Sequence, residues 1–206
     1  MKTFLGFFTF PQEEVKRKLF HQLTLIYIIT YWFAPRNFVL WAMGVTIILV
    51  LITELIRLNM PAVNDMMLFR MGGVHRASEV NNISGLPWTL TGSFLTMLFF
   101  ADKHIVMVSM LYLALGDSAA ALFGKKLGHT RTWYDKTLEG SLACFIVCAL
   151  AGLLFLKPTY AVLGAACATV IEILPWPFND NFWMPLVSSA VLTFMFGIPF
   201  LRNLPH

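Results

Sequence analysis

Apolar runs recur along almost the whole chain, at 19–34, 38–56, 83–100, 105–123, 138–156, 160–174 and 183–201. A helix that crosses a bilayer needs about 20 apolar residues, and these runs approach or reach that length seven times. In a chain of 206 residues with 58% hydrophobic and 13% charged residues, one soluble core cannot bury so much apolar surface, so a bilayer must act as the solvent. The fold expected is all-α: one polytopic bundle of about seven transmembrane helices occupying 1–206 as a single domain. The longest connection, 59–82, is itself rich in Met and aromatic residues, and 61–71 (PAVNDMMLFRM) reads as a helix lying at the membrane surface.

Lys and Arg set the orientation. Lys2, Lys16, Arg17 and Lys18 precede the first run, Arg57, Arg70 and Arg76 lie between the second and third, and Lys125, Lys126, Arg131 and Lys136 lie between the fourth and fifth. The other side holds Arg36, Lys103, Lys157 and Arg202. The positive-inside rule then predicts a cytoplasmic N-terminus and an external C-terminus. MKTFLGFFTF has too short an apolar stretch for a signal peptide, and PQEEVKRK follows where a cleavage site would stand, so it is expected to remain attached. The membrane is the cell inner membrane in a prokaryote, or the endoplasmic reticulum or a plastid membrane in a eukaryote. The net charge of +4 is a topology signal, and without a basic stripe on a soluble module no nucleic-acid partner is expected.

Several chemistries are disfavoured. Cys144, Cys148 and Cys167 lie in apolar runs without a CxxC pair and read as small buried hydrophobes. The five histidines (His21, His75, His104, His129, His206) show no metal-ligand spacing. No internal repeat of 20 to 50 residues is present, and GKKLGH is not a Walker A loop.

Carboxylates inside a membrane are expensive and mark functional candidates. Asp117 interrupts the fourth run about six residues before its cytoplasmic end, at a depth of roughly 9 Å for a rise of 1.5 Å per residue. It calls for a compensating cation, a water cavity or Mg²⁺. Glu139 opens the fifth run, Glu172 closes the sixth, and Asp180 precedes the seventh. All reach the same boundary, as do Glu54 and Arg57, which are spaced to pair on one helix. They converge on LFGKKLGHTRTWYDKTLEGS, where basic residues alternate with Gly, Thr and Ser. Carboxylates hold Mg²⁺, which bridges phosphates, while Lys and helix-start amides receive phosphate oxygens. The residues alone thus predict a polyanion and Mg²⁺ site beside lipid. Gly116, Ala120 and Gly124 form a small-xxx-small face for close helix packing.

The sequence resembles the membrane-embedded polyprenol kinase family, which comprises dolichol kinase, phytol kinase and the CTP-dependent diacylglycerol kinases. The resemblance is carried by Gly116-Asp117-Ser118-Ala119-Ala120, then Gly124-Lys125-Lys126-Leu127-Gly128, then Lys136-Thr137-Leu138-Glu139-Gly140-Ser141. Glu172 with Asn179-Asp180-Asn181-Phe182 and Pro185, Arg17-Lys18-Leu19-Phe20-His21, and Glu54-Leu55-Ile56-Arg57 extend it over most of the chain. It implies transfer of the terminal phosphate of a nucleoside triphosphate, typically CTP, to the hydroxyl of a lipid alcohol (a polyprenol or dolichol, a phytol-like isoprenoid, or diacylglycerol) at the cytoplasmic face.

Transferred residue by residue, the resemblance implies catalytic roles for Asp117, Lys136, Glu139 and Asp180, and metal binding by Asp117, Glu172 and Asp180. Nucleotide and phosphate contacts would come from Gly116, Ser118, Gly124, Lys125, Lys126 and Gly128, and from Lys136, Thr137, Gly140, Ser141 and Asn181. Lys18, His21, Glu54 and Arg57 would face the lipid substrate or support the residues that do. The partners implied are CTP with Mg²⁺, the lipid alcohol and the surrounding lipids. Two other readings compete. A membrane cytidylyltransferase forming a CDP-lipid would release pyrophosphate, whereas a kinase releases CDP. A small-molecule transporter should show repeats and polar groups at the midplane, whereas here the polar groups crowd one face.

Overall fold

The computed structural model describes residues 12–71, 79–132 and 136–197. MKTFLGFFTF, with Lys2, and also His75, Arg76, Arg202 and His206 lie outside the described residues. Among the described residues the helices are α1 (Gln12–His21), α2 (Thr24–Phe33), α3 (Arg36–Asn59), α4 (Pro61–Arg70), α5 (Gly85–Phe99), α6 (Lys103–Leu127), α7 (Leu138–Leu153), α8 (Pro158–Ile173) and α9 (Asp180–Phe196). Outside them, among the described residues, one bridge pairs Arg131 with Thr137. The all-helical expectation holds, and every apolar run falls on a helix.

Length is where the expectation of seven spans is refined. Two helices, Arg36–Asn59 and Lys103–Leu127, are long and apolar enough to cross a membrane alone. The other runs form helices of 10 to 17 residues, and 16 residues rise only about 24 Å. The first run breaks: Gln22 and Leu23 form a turn between α1 and α2. Polar α1 therefore becomes a separate element and is not the start of a span. The segment 61–71 forms the expected short helix, α4, with Phe69 almost fully exposed.

Local sequence accounts for the helix ends. The side chain of Asp102 accepts from the Ile105 amide at 2.9 Å and starts α6. Thr137 and Asn179 cap α7 and α9 in the same way, satisfying donors that a helix start leaves open. Gly197, at φ 64°, closes α9 in the left-handed conformation that glycine adopts without strain.

Helix α6 runs through the centre and divides the interior in two. On one side Ile105, Val108, Tyr112 and Leu113 pack with Cys144 and Cys148 of α7, Ala165 and Ala168 of α8, and Met184 and Leu192 of α9. On the other, Val106, Met107, Met110 and Ala114 pack with α2, α3 and α5. All three cysteines are free; Cys144 and Cys148 are fully buried, as small hydrophobes, and Cys167 is partly buried. The small-residue face of α6 meets α7 closely: a Cβ on Gly116 would lie 2.4 Å from Cys148 Sγ, and one on Gly140 would lie 2.6 Å from the Ala120 carbonyl oxygen. Outward faces remain apolar, with Ile26, Ile29 and Phe33 on α2, Trp41, Ile48 and Leu55 on α3, and Leu142, Ile146 and Leu150 on α7 all exposed.

Candidate active site

Charges segregate to the two ends of the bundle. At one end Arg36 and Lys103 donate to backbone carbonyls, Arg36 to Met97 and Leu98, and Lys103 to Trp32 at 2.6 Å. Lys103 also sits over the Trp32 ring. These cations tie helix ends together. At the other end three ionic groups are assembled.

The first is built on Lys136, in the segment that leads into α7. Its Nζ donates to Glu172 Oε1 at the end of α8 and to Asp180 Oδ2 at the start of α9, both at 2.7 Å. Ser141, one turn into α7, donates to the other Glu172 oxygen at 3.3 Å. Burial alone would lower the Lys136 pKa, but Asp180 and Glu172, with Asp117 beyond them, outweigh it and hold the ammonium well above the usual lysine range. Lys136 is therefore a fixed cation at neutral pH. Three helix termini meet on it.

The second joins α1 to α6. Asp117 follows directly on a π-helical turn, Tyr112–Gly116, a distortion that often marks functional sites. Its buried carboxylate pairs with Lys18 Nζ, and His21 Nε2 lies 3.7 Å from the same oxygen. The cation that Asp117 requires is thus Lys18, 99 residues earlier in the chain. Glu14, on the same face of α1, pairs with Arg17 and Lys125.

The third is a closed knot. Arg57 is fully buried and donates to Glu54 at 2.8 Å, to Asn64 Oδ1 at 2.9 Å, and to the carbonyls of Glu79, Val80 and Asn82. Glu54 also accepts from the amide and hydroxyl of Ser84, both at 3.0 Å. Sequence spacing foresaw only the Glu54–Arg57 pair.

A cleft of about 890 Å³, counting its open mouth, opens between α1 of the second group and Glu54 of the third, and the first group adjoins it only through Asn179 and Asn181, the neighbours of Asp180. Arg17, Lys18 and His21 line it from α1, Glu54 from α3, and Asn179 and Asn181 from either side of Asp180. Asp117 sits behind Lys18 and His21.

Searches against known proteins found 28% identity over 215 residues to CTP-dependent diacylglycerol kinase 1 of Saccharomyces cerevisiae, covering 88% of this chain and 73% of that protein. The protein of the same name in Schizosaccharomyces pombe is 26% identical, over 68% of this chain and 72% of its own. Dolichol kinase of S. cerevisiae is 33% identical over 66% of this chain, a match confined to 27% of that longer protein. Over most of its length the chain is thus similar to proteins named CTP-dependent diacylglycerol kinase, and over a shorter stretch to a dolichol kinase. No family model and no solved structure matches it.

The residues singled out from the motifs separate by position. Lys136, Ser141, Glu172 and Asp180 come together directly, and Lys18, His21 and Asp117 form the adjoining group. Asn181 lines the cleft. Glu139 instead accepts from the amides of His129 and Thr130, both at 3.1 Å, and so pins the basic loop. Gly116, Gly124, Gly128 and Gly140 are packing glycines: a Cβ on Gly124 would come 2.9 Å from Thr137 Oγ1, and one on Gly128 would come 2.2 Å from the Gly124 carbonyl oxygen. Ser118 receives a bond from Gln22 and donates to Ala114, both at 2.7 Å, and Thr137 caps α7. Lys125 and Lys126 occupy the last turn of α6. Sequence reasoning missed Glu14 and Asn179. For Glu14 a signal existed, since Glu14, Lys18 and His21 share one face at helical spacing.

Proposed function

We propose that this chain is a membrane-embedded, CTP-dependent lipid kinase working at the end of the bundle where Lys18, Asp117, Lys136, Glu172 and Asp180 gather. The observation that carries this reading is Lys136, a fixed ammonium held by carboxylates from two other helices, one of which, Asp180, is flanked by the cleft-lining Asn179 and Asn181. Phosphoryl transfer asks mainly for positioning and charge neutralisation, and a partly buried cation of fixed geometry offers both. The relatives' names supply CTP as donor and a lipid with a hydroxyl as acceptor. The exposed apolar faces of α2, α3 and α7 suit a bilayer, and the excess of Lys and Arg at this end suits the cytoplasmic side. The reading includes a bundle crossing about seven times, with N-terminus inside and C-terminus outside, which the apolar runs and the placement of Lys and Arg support.

The residues fit Mg²⁺. Among the described residues no three His, Cys, Asp or Glu side chains cluster as a metal cage, but Mg²⁺ commonly takes only one or two protein carboxylates and fills its remaining positions with water and phosphate. Asp180 and Glu172 supply hard oxygens, and neighbouring Asn181 Oδ1 is buried with no partner. These three would hold the ion, which would supply positive charge to neutralise phosphate.

In the reaction the acceptor's hydroxyl oxygen bonds to the terminal phosphorus of CTP, and the bond from that phosphorus to the bridging oxygen breaks. CDP leaves with the electron pair. Lys136 and Lys18 meet the phosphate charge, and Asp117, held behind Lys18 and His21, takes the hydroxyl proton. The test is CTP labelled at the terminal or the innermost phosphate, offered to purified protein with a panel of lipid alcohols. Terminal label should appear on lipid with release of CDP. Innermost label on lipid with release of pyrophosphate would identify a cytidylyltransferase instead.

A further inference from the structure

An apolar groove of about 510 Å³ adjoins the polar cleft, and nothing in the reaction above accounts for it. Leu23 and Tyr27 line it from the α1–α2 turn and α2, Thr46 from α3, and Thr89 and Leu90 from α5. Phe20, His21, Val50 and Leu86 line both groove and cleft, so the two share a wall.

The groove's three threonines present no free hydroxyl proton. Thr24 donates to the His21 carbonyl at 2.8 Å, Thr46 to Ala42 at 2.9 Å, and Thr89 to Gly85 at 3.1 Å. With those donors spent on local backbone, the wall offers methyl groups and apolar side chains, a surface suited to hydrocarbon. The cleft is the more polar of the two, since beside Phe20, Val50, Met67, Met71 and Leu86 it carries Arg17, Lys18, Glu54, Ser84, Asn179 and Asn181 on its wall. Polar and apolar chambers meet at His21, whose ring also stands beside Asp117. Leu23, half-exposed, marks a side of the groove open to surrounding lipid.

We propose that this groove holds the hydrocarbon tail of the acceptor, entering sideways from the bilayer between α2 and α3, and that His21 marks where its hydroxyl emerges into the cleft. The proposal rests on the lipid-kinase reading and adds to it the place of the tail and the residues that select tail length. An acceptor with an apolar tail and a single polar end matches the sequence of chambers. Soluble nucleotide reaches the same junction from the polar side.

Two measurements test it. Thr46→Trp fills the groove from α3 without touching the cleft wall. It should raise KM for an isoprenoid alcohol of farnesol length or longer by roughly tenfold, about the loss of one or two buried methylene contacts, while KM for CTP and for a short, water-soluble alcohol stays near wild type. Replacing Tyr27 with p-benzoylphenylalanine, which is close to its shape, should on illumination give an adduct with the long-chain alcohol that excess unlabelled alcohol suppresses. A wild-type protein that phosphorylates no alcohol of any length would sink the kinase reading itself. An active wild type whose preference for tail length survives Thr46→Trp would overturn the groove assignment alone. So would a Tyr27-site adduct formed chiefly with a second copy of the chain or with bulk phospholipid.

Discussion

Two buried ionic assemblies at the same end of the bundle differ in what surrounds them. Around Arg57 the partners are Glu54 one turn away, Asn64, and carbonyls of the 79–82 segment. The group ties the end of α3 to α4 and to the start of α5. Around Lys136 the partners are two carboxylates from α8 and α9, and Lys136 itself precedes α7. Carbonyl partners cannot be exchanged for substrate without opening backbone structure. Two carboxylates facing one ammonium can turn to a metal or release the ammonium to a phosphate. Burial of charge alone therefore does not mark catalysis; the nature of the partners does.

The largest effect should come from cutting the closed knot. Arg57→Met strands Glu54 and leaves Asn64 and three carbonyls without their donor, so stability should fall by about 3–5 kcal/mol. Thermal unfolding in detergent measures this, and turnover per folded molecule should change little. Loss of turnover without loss of stability would erase the distinction between the two assemblies.

Next in size is Asp117→Asn. It removes the carboxylate that holds Lys18 and His21, so turnover should drop by about 10²-fold or more. Because Lys18 is buried and paired only across α1 and α6, unfolding temperature should fall as well. Near-normal turnover in a destabilised variant would reassign Asp117 to structure alone.

Gly140→Ala probes the scaffold under the site. The new Cβ would meet the Ala120 carbonyl oxygen at 2.6 Å and push α7 from α6, at a cost of about 1–3 kcal/mol. Activity should fall more steeply than for an equally destabilising change in the outer face of α7, since Lys136 and Ser141 flank the displaced turn. Equal losses would show that the site tolerates movement of α7.

The smallest effect is one of pH. The Lys136 pKa is raised in the folded protein, so the stability its charge contributes is fully present below its ordinary value of 10.5 and is lost only as pH climbs through the higher folded value. The difference in unfolding temperature between wild type and Lys136→Met should then stay flat from about pH 7 to about pH 10. A decline across that window would mean that Asp180 and Glu172 do not hold the ammonium.

Much of this was legible in the sequence. Apolar runs located the helices because burial in a bundle needs long apolar faces, and Asp117, Lys136, Glu172 and Asp180 could be gathered because each stands at or toward the end of an apolar run on one predicted side. What could not be read was partner choice across the fold. The resemblance placed Lys18 near the lipid substrate, but its partner Asp117 could not be read from the sequence, since α1 is set against α6 by the turn at Gln22 and Leu23. The glycines around Lys125 suggested a phosphate cradle, whereas distances of 2.2 to 2.9 Å to neighbouring atoms show that α6 and α7 use that space. Glu54 and Arg57 were visible as a pair, but their links to Asn64 and Ser84 depend on how 79–84 folds back.

The central claim is that Lys136 and its two carboxylates carry phosphate transfer, and it is tested most directly by one turnover of terminally labelled CTP on Lys136→Met beside wild type, with the folded fraction of each preparation measured. Transfer of label to lipid should fall by roughly 10²- to 10³-fold per folded molecule, the loss seen when a single charge-stabilising donor is removed. Transfer at the wild-type rate would contradict the account and leave Lys136 a structural cation like Arg57.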